Sequence, residues 1–207
     1  MNMRYARPLI AGSAAVLAAI LGATAALAAT TWTIKPGGAI SSTATNVNFK
    51  DTKTGTIFTC SSVAVTGTLK SGSGLSGSGA GSVSAVTFTH CTGPLGVTFA
   101  LTPKDLPWHL NLAAYSGGVA MGSISHMQIQ LAGPDCATLI SGTSATTSNG
   151  HMKFSYTDGT GRLTTLTTGG NLHFYNVTGC AGLFNNNDPL TISGTFPLSP
   201  KQAITSP

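Results

Sequence analysis

SVAVTGTL, residues 62–69, alternates between apolar and small or polar side chains with a period of two. In an extended chain Val63, Val65 and Leu69 lie on one side, and the alanine and threonines between them lie on the other. The same alternation recurs in three other segments, residues 97–101, 127–131 and 152–156. Each segment therefore predicts a β-strand with one buried face.

Turn residues separate the predicted strands and favour an antiparallel arrangement. Asp158-Gly159-Thr160-Gly161 stands between segments 151–157 and 162–168, and Gly169-Gly170-Asn171 leads into segment 172–177. Short loops of this kind connect neighbouring antiparallel strands, so we expect a meander here and roughly a dozen strands in all. The sequence predicts an all-β fold, namely an antiparallel β-sandwich with a quasi-duplicated layout, and a barrel is the alternative.

The composition excludes helical and charge-rich classes of protein. Only 7% of the 207 residues are charged, against roughly 25% in an average soluble domain, and 26 residues are glycine. A coiled coil or a helical bundle contains many more charged residues and far fewer glycines. All five acidic residues are aspartates, so catalysis by a pair of carboxylates has few candidate residues.

The first 28 residues have the features of a secretory signal peptide. Arg4 and Arg7 precede an apolar run that ends in the small-residue site Ala26-Leu27-Ala28, after which we expect cleavage. The alternative is a membrane anchor, but glycines and other small residues weaken the apolar run. We therefore predict a secreted, extracellular protein without a membrane partner after cleavage, in which residues 29–207 form a single all-β domain.

Four cysteines remain in the predicted mature chain, and an even number in an oxidising compartment predicts two disulfides. Two pairs of similar segments indicate how these cysteines pair. Cys60 and Cys136 each stand before a strand that ends in Gly-Thr, and Cys91 and Cys180 each follow a strand that bears aromatic residues. This internal similarity predicts that Cys60 is bonded to Cys91 and that Cys136 is bonded to Cys180.

The charge distribution argues against a nucleic-acid partner. Without the two arginines of the signal peptide, eight basic residues face five aspartates, which leaves a net charge of +3 with histidine neutral. The lysines are spread singly along the chain and form no basic run that could follow a phosphate backbone.

The clearest cluster of candidate ligand-binding side chains lies in KDLPWHLN, residues 104–111, and at Tyr115 just after it. Trp108 and Tyr115 could form a stacking platform for a sugar or another flat apolar ligand, with Asp105, His109 and Asn111 as hydrogen-bonding neighbours. The alternative is that Trp108 packs in the core, since a domain with only two tryptophans normally buries its largest side chain.

Sequence motifs for catalysis and metal binding are missing. The chain contains no Gly-x-Ser-x-Gly, no His-Glu-x-x-His and no phosphate-binding Gly-x-x-x-x-Gly-Lys. His126-Met127 and His151-Met152 suggest copper ligands, but adjacent strand residues point to opposite faces, which places the histidines toward solvent and the methionines inside. We therefore expect no metal site, no cofactor and no catalytic residues.

Two segments of unusual composition are predicted to be connections. Residues 71–82 are rich in glycine and serine and predict a flexible loop within the domain, because the predicted Cys60–Cys91 disulfide spans them. Asn185-Asn186-Asn187-Asp188-Pro189 predicts a turn rather than a calcium loop, since a single carboxylate gives little charge to hold the ion.

Three segments resemble a group of secreted proteins of high-GC Gram-positive bacteria that have no assigned activity: LPWHLN (106–111), GGNLHFYNVTGCAGL (169–183) and SPKQAITSP (199–207). The resemblance spans nearly all of the predicted mature chain. It implies export and β architecture, and it assigns no catalytic or binding residues.

Two hypotheses of function follow from the sequence. The first is a secreted, non-catalytic binding or surface-associated module, and it is based on the nearly uncharged, threonine-rich β surface. Its partner would be a cell-envelope polymer, a polysaccharide or another secreted protein. The alternative is a secreted hydrolase that acts on an extracellular polymer, and it is based on Asp105, Trp108 and His109.

Overall fold

The computed structural model describes residues 31–207, so the predicted signal peptide lies outside the described residues. These residues form fifteen strands and one short 3₁₀-helix at Pro94–Gly96. The strands are β1 Thr31–Lys35, β2 Gly38–Asp51, β3 Ile57–Leu69, β4 Gly72–Ser76, β5 Gly81–Thr92, β6 Thr98–Lys104, β7 Trp108–Ser116, β8 Val119–Ala132, β9 Ala137–Ser141, β10 Gly150–Thr157, β11 Arg162–Leu166, β12 His173–Thr178, β13 Leu190–Ser193, β14 Thr195–Pro197 and β15 Ala203–Thr205. Across this described range, no helix is long and apolar enough to cross a membrane.

The strands pair antiparallel in a twelve-stranded sheet and a three-stranded sheet. The main path of the large sheet runs β13-β2-β3-β5-β6-β8-β10-β11-β14, and β7, β9 and β12 pair off this path. The small sheet has the order β15-β1-β4. This sandwich-like arrangement confirms the predicted antiparallel all-β fold. A closed barrel is not formed, because among the described strands the path ends at β13 and β14 without a pair that joins them.

Strand alternation places the core as the sequence predicts. In β3, Val63 and Leu69 are buried and Thr66 and Thr68 are exposed. Burying one face of each strand stabilises the fold by about 25 cal/mol for each Å² of apolar surface removed from water. The predicted alternation in residues 97–101, 127–131 and 152–156 is also found, and the buried members are Phe99, Leu101, Met127, Ile129, Leu131, Met152, Phe154 and Tyr156.

Both predicted disulfides are present. Cys60 on β3 lies directly opposite Cys91 on β5, and the bond joins residues 31 positions apart. Cys136 precedes β9 and Cys180 follows β12, so the second bond joins the ends of two paired strands 44 positions apart. Two details depart from the predicted pattern, because Cys60 stands inside its strand rather than before it and Cys91 stands inside β5 rather than after it.

The prediction of a flexible loop at residues 71–82 is wrong. Residues 72–76 form β4, which pairs with β1, and Leu112 N donates a hydrogen bond of 2.8 Å to Gly77 O. A side chain at Gly77 would collide with the Trp32 indole and the Leu112 carbonyl. Glycine therefore serves here for close approach between segments, and the backbone groups find partners in place of water.

The predicted meander is correct only for its first connection. Residues 158–161 join β10 to β11, which pair antiparallel from Lys153↔Leu166 to Thr157↔Arg162. β12 pairs with β9 instead of β11. Asn171 Oδ1 accepts a hydrogen bond of 2.7 Å from His151 N, which connects the segment before β12 to the start of β10. The Cys136–Cys180 bond holds β12 against β9.

Candidate ligand-binding site

An apolar chamber lies between the inward faces of the strands of the large sheet. Its volume is about 60 Å³. The lining side chains are apolar with the exception of Ser42, and they are Ile40, Ser42, Val47, Phe49, Val63, Val65, Val83, Val86, Phe88, Trp108, Leu110, Ile124, Met127, Ile129, Met152, Leu163, Ile192, Phe196 and Leu198. Small-molecule sites have linings of this composition, predominantly apolar with a few polar groups, although most of them are larger.

Ser42 is the polar exception, and strand geometry places it there. It lies on β2 between Ile40 and Ala44, which are both buried, so the period of two turns all three inward. The Ser42 side chain is only 7% exposed, and its hydroxyl has no hydrogen-bond partner among the described residues. A buried hydroxyl without a partner costs about 1–3 kcal/mol, so this position carries an unmet hydrogen-bonding capacity.

One side of the chamber approaches the surface. Three of its lining side chains, Val65, Phe88 and Leu198, remain half-buried while most of the others are buried. Ser42 lies between two of them, because it pairs in register with Val65 and its neighbour Ser41 bridges to Ser199, the residue after Leu198. We call Val65, Phe88 and Leu198 the rim.

The structure places Trp108 in the core. Its side chain is 3% exposed and lines the chamber, and its indole N–H donates a hydrogen bond of 2.9 Å to Lys104 O. The exposed stacking platform that the sequence suggested is therefore not formed by Trp108. The alternative interpretation, core packing, describes its position.

The other members of the predicted cluster lie away from Trp108. His109 is exposed on the opposite face of β7, with its ring 4.4 Å from that of His126 between centroids. Asn111 accepts a hydrogen bond of 2.9 Å from Gly79 N and donates one of 2.9 Å to Ser125 Oγ. These bonds brace the glycine-rich segment against β7 and β8 and occupy the Asn111 amide.

Asp105 and Tyr115 lie at two further places. Asp105 is exposed and accepts a hydrogen bond from the Ser148 hydroxyl. Tyr115, at the far end of β7, acts on the Asp158 carboxyl group and favours its charged form. The structure therefore does not bring the five predicted ligand-binding residues together, because successive residues of β7 point to opposite faces and the strand separates its two ends.

Burial raises the pKa of the Asp158 carboxyl above its usual value of 3.8. The Ile204 backbone N–H, the Lys201 ammonium and the Tyr115 hydroxyl act in the opposite direction but do not cancel this effect. Ile204 N donates its hydrogen bond over 3.1 Å, so Asp158 connects the β10–β11 turn to the C-terminal strand β15.

The raised pKa predicts how acid affects stability. Because the folded-state pKa lies above the unfolded one, the contribution of Asp158 is fully present below the unfolded value and is lost as the pH rises through the folded value. Wild type should therefore lose stability relative to Asp158→Asn as the pH rises above the unfolded-state value of 3.8. Urea unfolding of both proteins as a function of pH measures the difference.

Asp135→Asn is the control for the Asp158 experiment, because it removes one negative charge from an exposed position. A difference between wild type and Asp158→Asn that grows in favour of wild type as the pH rises would contradict the assignment.

The histidines and the asparagine-rich segment 185–189 lie apart from the chamber lining. Within residues 31–207, no group of three or more His, Cys, Asp or Glu side chains is placed to hold a metal ion. His126 is exposed and His151 is half-buried, while Met127 and Met152 are buried, as the alternation predicts. The 185–188 segment is a turn in which Asn185 Nδ2 donates to Asp188 Oδ2 over 2.8 Å.

Ser42 and the rim are the functional candidates that the sequence analysis missed. A serine between two apolar residues at inward positions, Ile40-Ser41-Ser42-Thr43-Ala44, is the one sequence signal that could have indicated it. No known protein family, curated protein or solved structure matches the chain.

Proposed function

We propose that this protein is a secreted, non-catalytic binding module that holds a small apolar ligand in the chamber. The observation that carries this proposal is the chamber itself, with an almost wholly apolar lining and a half-buried rim on one side. A well-packed core leaves few voids larger than a water molecule. A void of about 60 Å³ with a half-buried rim is therefore a candidate binding site.

The chemistry of the lining supports binding without catalysis. Among the lining residues, which all belong to the described part of the chain, none has a side chain that carries charge or titrates. General acid–base catalysis requires such a group within hydrogen-bonding reach of the reacting atoms. Ser42 would be the only candidate nucleophile, and a serine hydroxyl needs an adjacent base to react.

Xenon is the probe that tests the proposal, because this single apolar atom binds in dry cavities and requires no hydrogen bond. Xenon under pressure should shift the methyl NMR signals of Ile124, Met127 and Ile129, which line the chamber. Methyl groups outside the chamber should keep their positions.

The matched variants Val65→Phe and Thr66→Phe locate the bound atom. Val65 belongs to the rim, so a phenyl ring there should fill the chamber and abolish the xenon shifts. Thr66 is exposed on the opposite face of β3, and the same ring there should leave the shifts unchanged. Xenon shifts that are absent in wild type, or that survive in Val65→Phe, would contradict the proposal.

The two broader hypotheses from the sequence lead to separate experiments. Binding to a cell-envelope polymer or a polysaccharide predicts that the mature protein pellets with purified cell wall, chitin or cellulose. The hydrolase alternative predicts a turnover that His109→Ala abolishes. The separation of Trp108 from Asp105 and His109 gives the hydrolase no additional support.

A further inference from the structure

We infer that the natural ligand of the chamber is a short neutral amphiphile whose alkyl part fills the chamber and whose uncharged oxygen group bonds to Ser42. This inference rests on the proposed function and adds the chemical class of the ligand. It is carried by two observations that are independent of the chamber's volume, namely the unpartnered Ser42 hydroxyl and the position of Ser42 beside the rim.

The unpartnered hydroxyl indicates a polar group on the ligand. Buried polar groups in native proteins are nearly always hydrogen-bonded, and each exception calls for an explanation. The Ser42 hydroxyl can both donate and accept a hydrogen bond. A ligand oxygen at this point would provide the partner that the described residues do not provide.

The surroundings of Ser42 indicate that this group is uncharged. Its neighbours in the lining are Ile40, Val65 and Leu198, and no lining side chain carries a compensating charge. Moving a carboxylate or an ammonium group out of water into such surroundings is costly unless a partner of opposite charge is present. An alcohol, ether, ketone or ester oxygen pays a much smaller desolvation penalty.

The position of Ser42 sets the orientation of the ligand. Val65 and Leu198 flank it at the rim, and Ile124, Met127 and Trp108 are among the buried side chains of the same lining. A water molecule needs roughly 10–15 Å³ of such space, so the chamber corresponds to about four to six water-sized groups. This matches an alkyl group of about four carbons that points inward from an oxygen at the rim.

1-Butanol and 1-chlorobutane are the matched probes for this inference. Each has five non-hydrogen atoms, and they differ in one terminal group, a hydroxyl in the first and a chlorine with little hydrogen-bonding capacity in the second. Affinities are measured by titration of the Ile124, Met127 and Ile129 methyl signals in wild type, Ser42→Ala and Ser42→Thr. Ser41→Ala makes the same chemical change on the exposed face of β2 and is the control.

Ser42→Ala should weaken the binding of 1-butanol by about five- to tenfold, the usual effect of one hydrogen bond, and should leave that of 1-chlorobutane unchanged. Ser42→Thr keeps the hydroxyl and should keep the preference, and Ser41→Ala should behave as wild type. Butanoate should not bind, because its carboxylate would be buried without a counter-charge.

The outcomes separate the two proposals. If 1-chlorobutane binds in the chamber but Ser42→Ala changes both affinities equally, the role of Ser42 is wrong and the chamber remains a binding site. If butanoate binds as well as 1-butanol, the ligand is not neutral. If neither 1-butanol nor 1-chlorobutane shifts the chamber methyl groups, the proposed function and this inference both fail.

Discussion

Replacing both Cys136 and Cys180 by alanine should lower the free energy of unfolding by about 4 kcal/mol. The disulfide closes a loop of 44 residues, and the loop-entropy relation gives a loss of this size when such a loop is opened. A typical domain is stable by only about 5–15 kcal/mol, so this one change removes a large part of the total. Urea unfolding of the variant and of wild type measures the difference.

Removal of the two disulfides should have different effects on local hydrogen exchange. Cys136–Cys180 ties β9 to β12, which share only four residue pairs in register, whereas β3 and β5 share ten around Cys60–Cys91. Hydrogen exchange at Phe174 and Tyr175 should therefore accelerate most in Cys136→Ala/Cys180→Ala. The Cys60–Cys91 bond closes a loop of 31 residues. In Cys60→Ala/Cys91→Ala, the paired strands β3 and β5 should keep their protection from hydrogen exchange. A loss below about 1 kcal/mol in the first variant would contradict the prediction.

Trp108→Ala should destabilise the protein by about 3–5 kcal/mol, the usual cost of truncating a buried large aromatic side chain. The indole lies in the core beside the chamber, so its removal enlarges an existing cavity and also leaves the Lys104 carbonyl without its hydrogen bond. His109→Ala, one residue away on the exposed face, should change stability by no more than about 0.5 kcal/mol.

Tryptophan fluorescence provides a second measurement of the position of Trp108. In a Trp32→Phe background, Trp108 is the only tryptophan, and its emission should lie in the blue and resist quenching by iodide because the ring is 3% exposed. A small loss of stability in Trp108→Ala together with ready quenching would place the ring at the surface and return it to the role of a stacking platform.

Much of the fold could be predicted because its determinants are local. Whether Val63 or Met127 faces inward depends on the period of two along its own strand, which the sequence displays directly. The disulfides could be paired because similar segments surround corresponding cysteines. The 158–161 turn could be predicted because turn chemistry depends on a few adjacent residues.

The errors arose where partners far apart in sequence decide the structure. The glycine-rich segment 72–76 has the composition of a loop, and it becomes a strand because β1 supplies hydrogen bonds and Gly77 fits against Trp32. β12 resembles the next strand of a meander, and it pairs with β9, from which it is separated by more than thirty residues. The local composition of these two segments does not indicate that their partners are β1 and β9.

The sequence by itself thus determined the strand class, the inward and outward positions and the two disulfides, because each depends on local periodicity or local similarity. Only the tertiary structure decided that Trp108 lines a chamber, that the residues around it are divided between two faces, and that Ser42 lies beside a rim without a hydrogen-bond partner. A cavity exists only where side chains of many strands fail to fill the space between them. Its presence therefore depends on how all the strands of the sheet pack together.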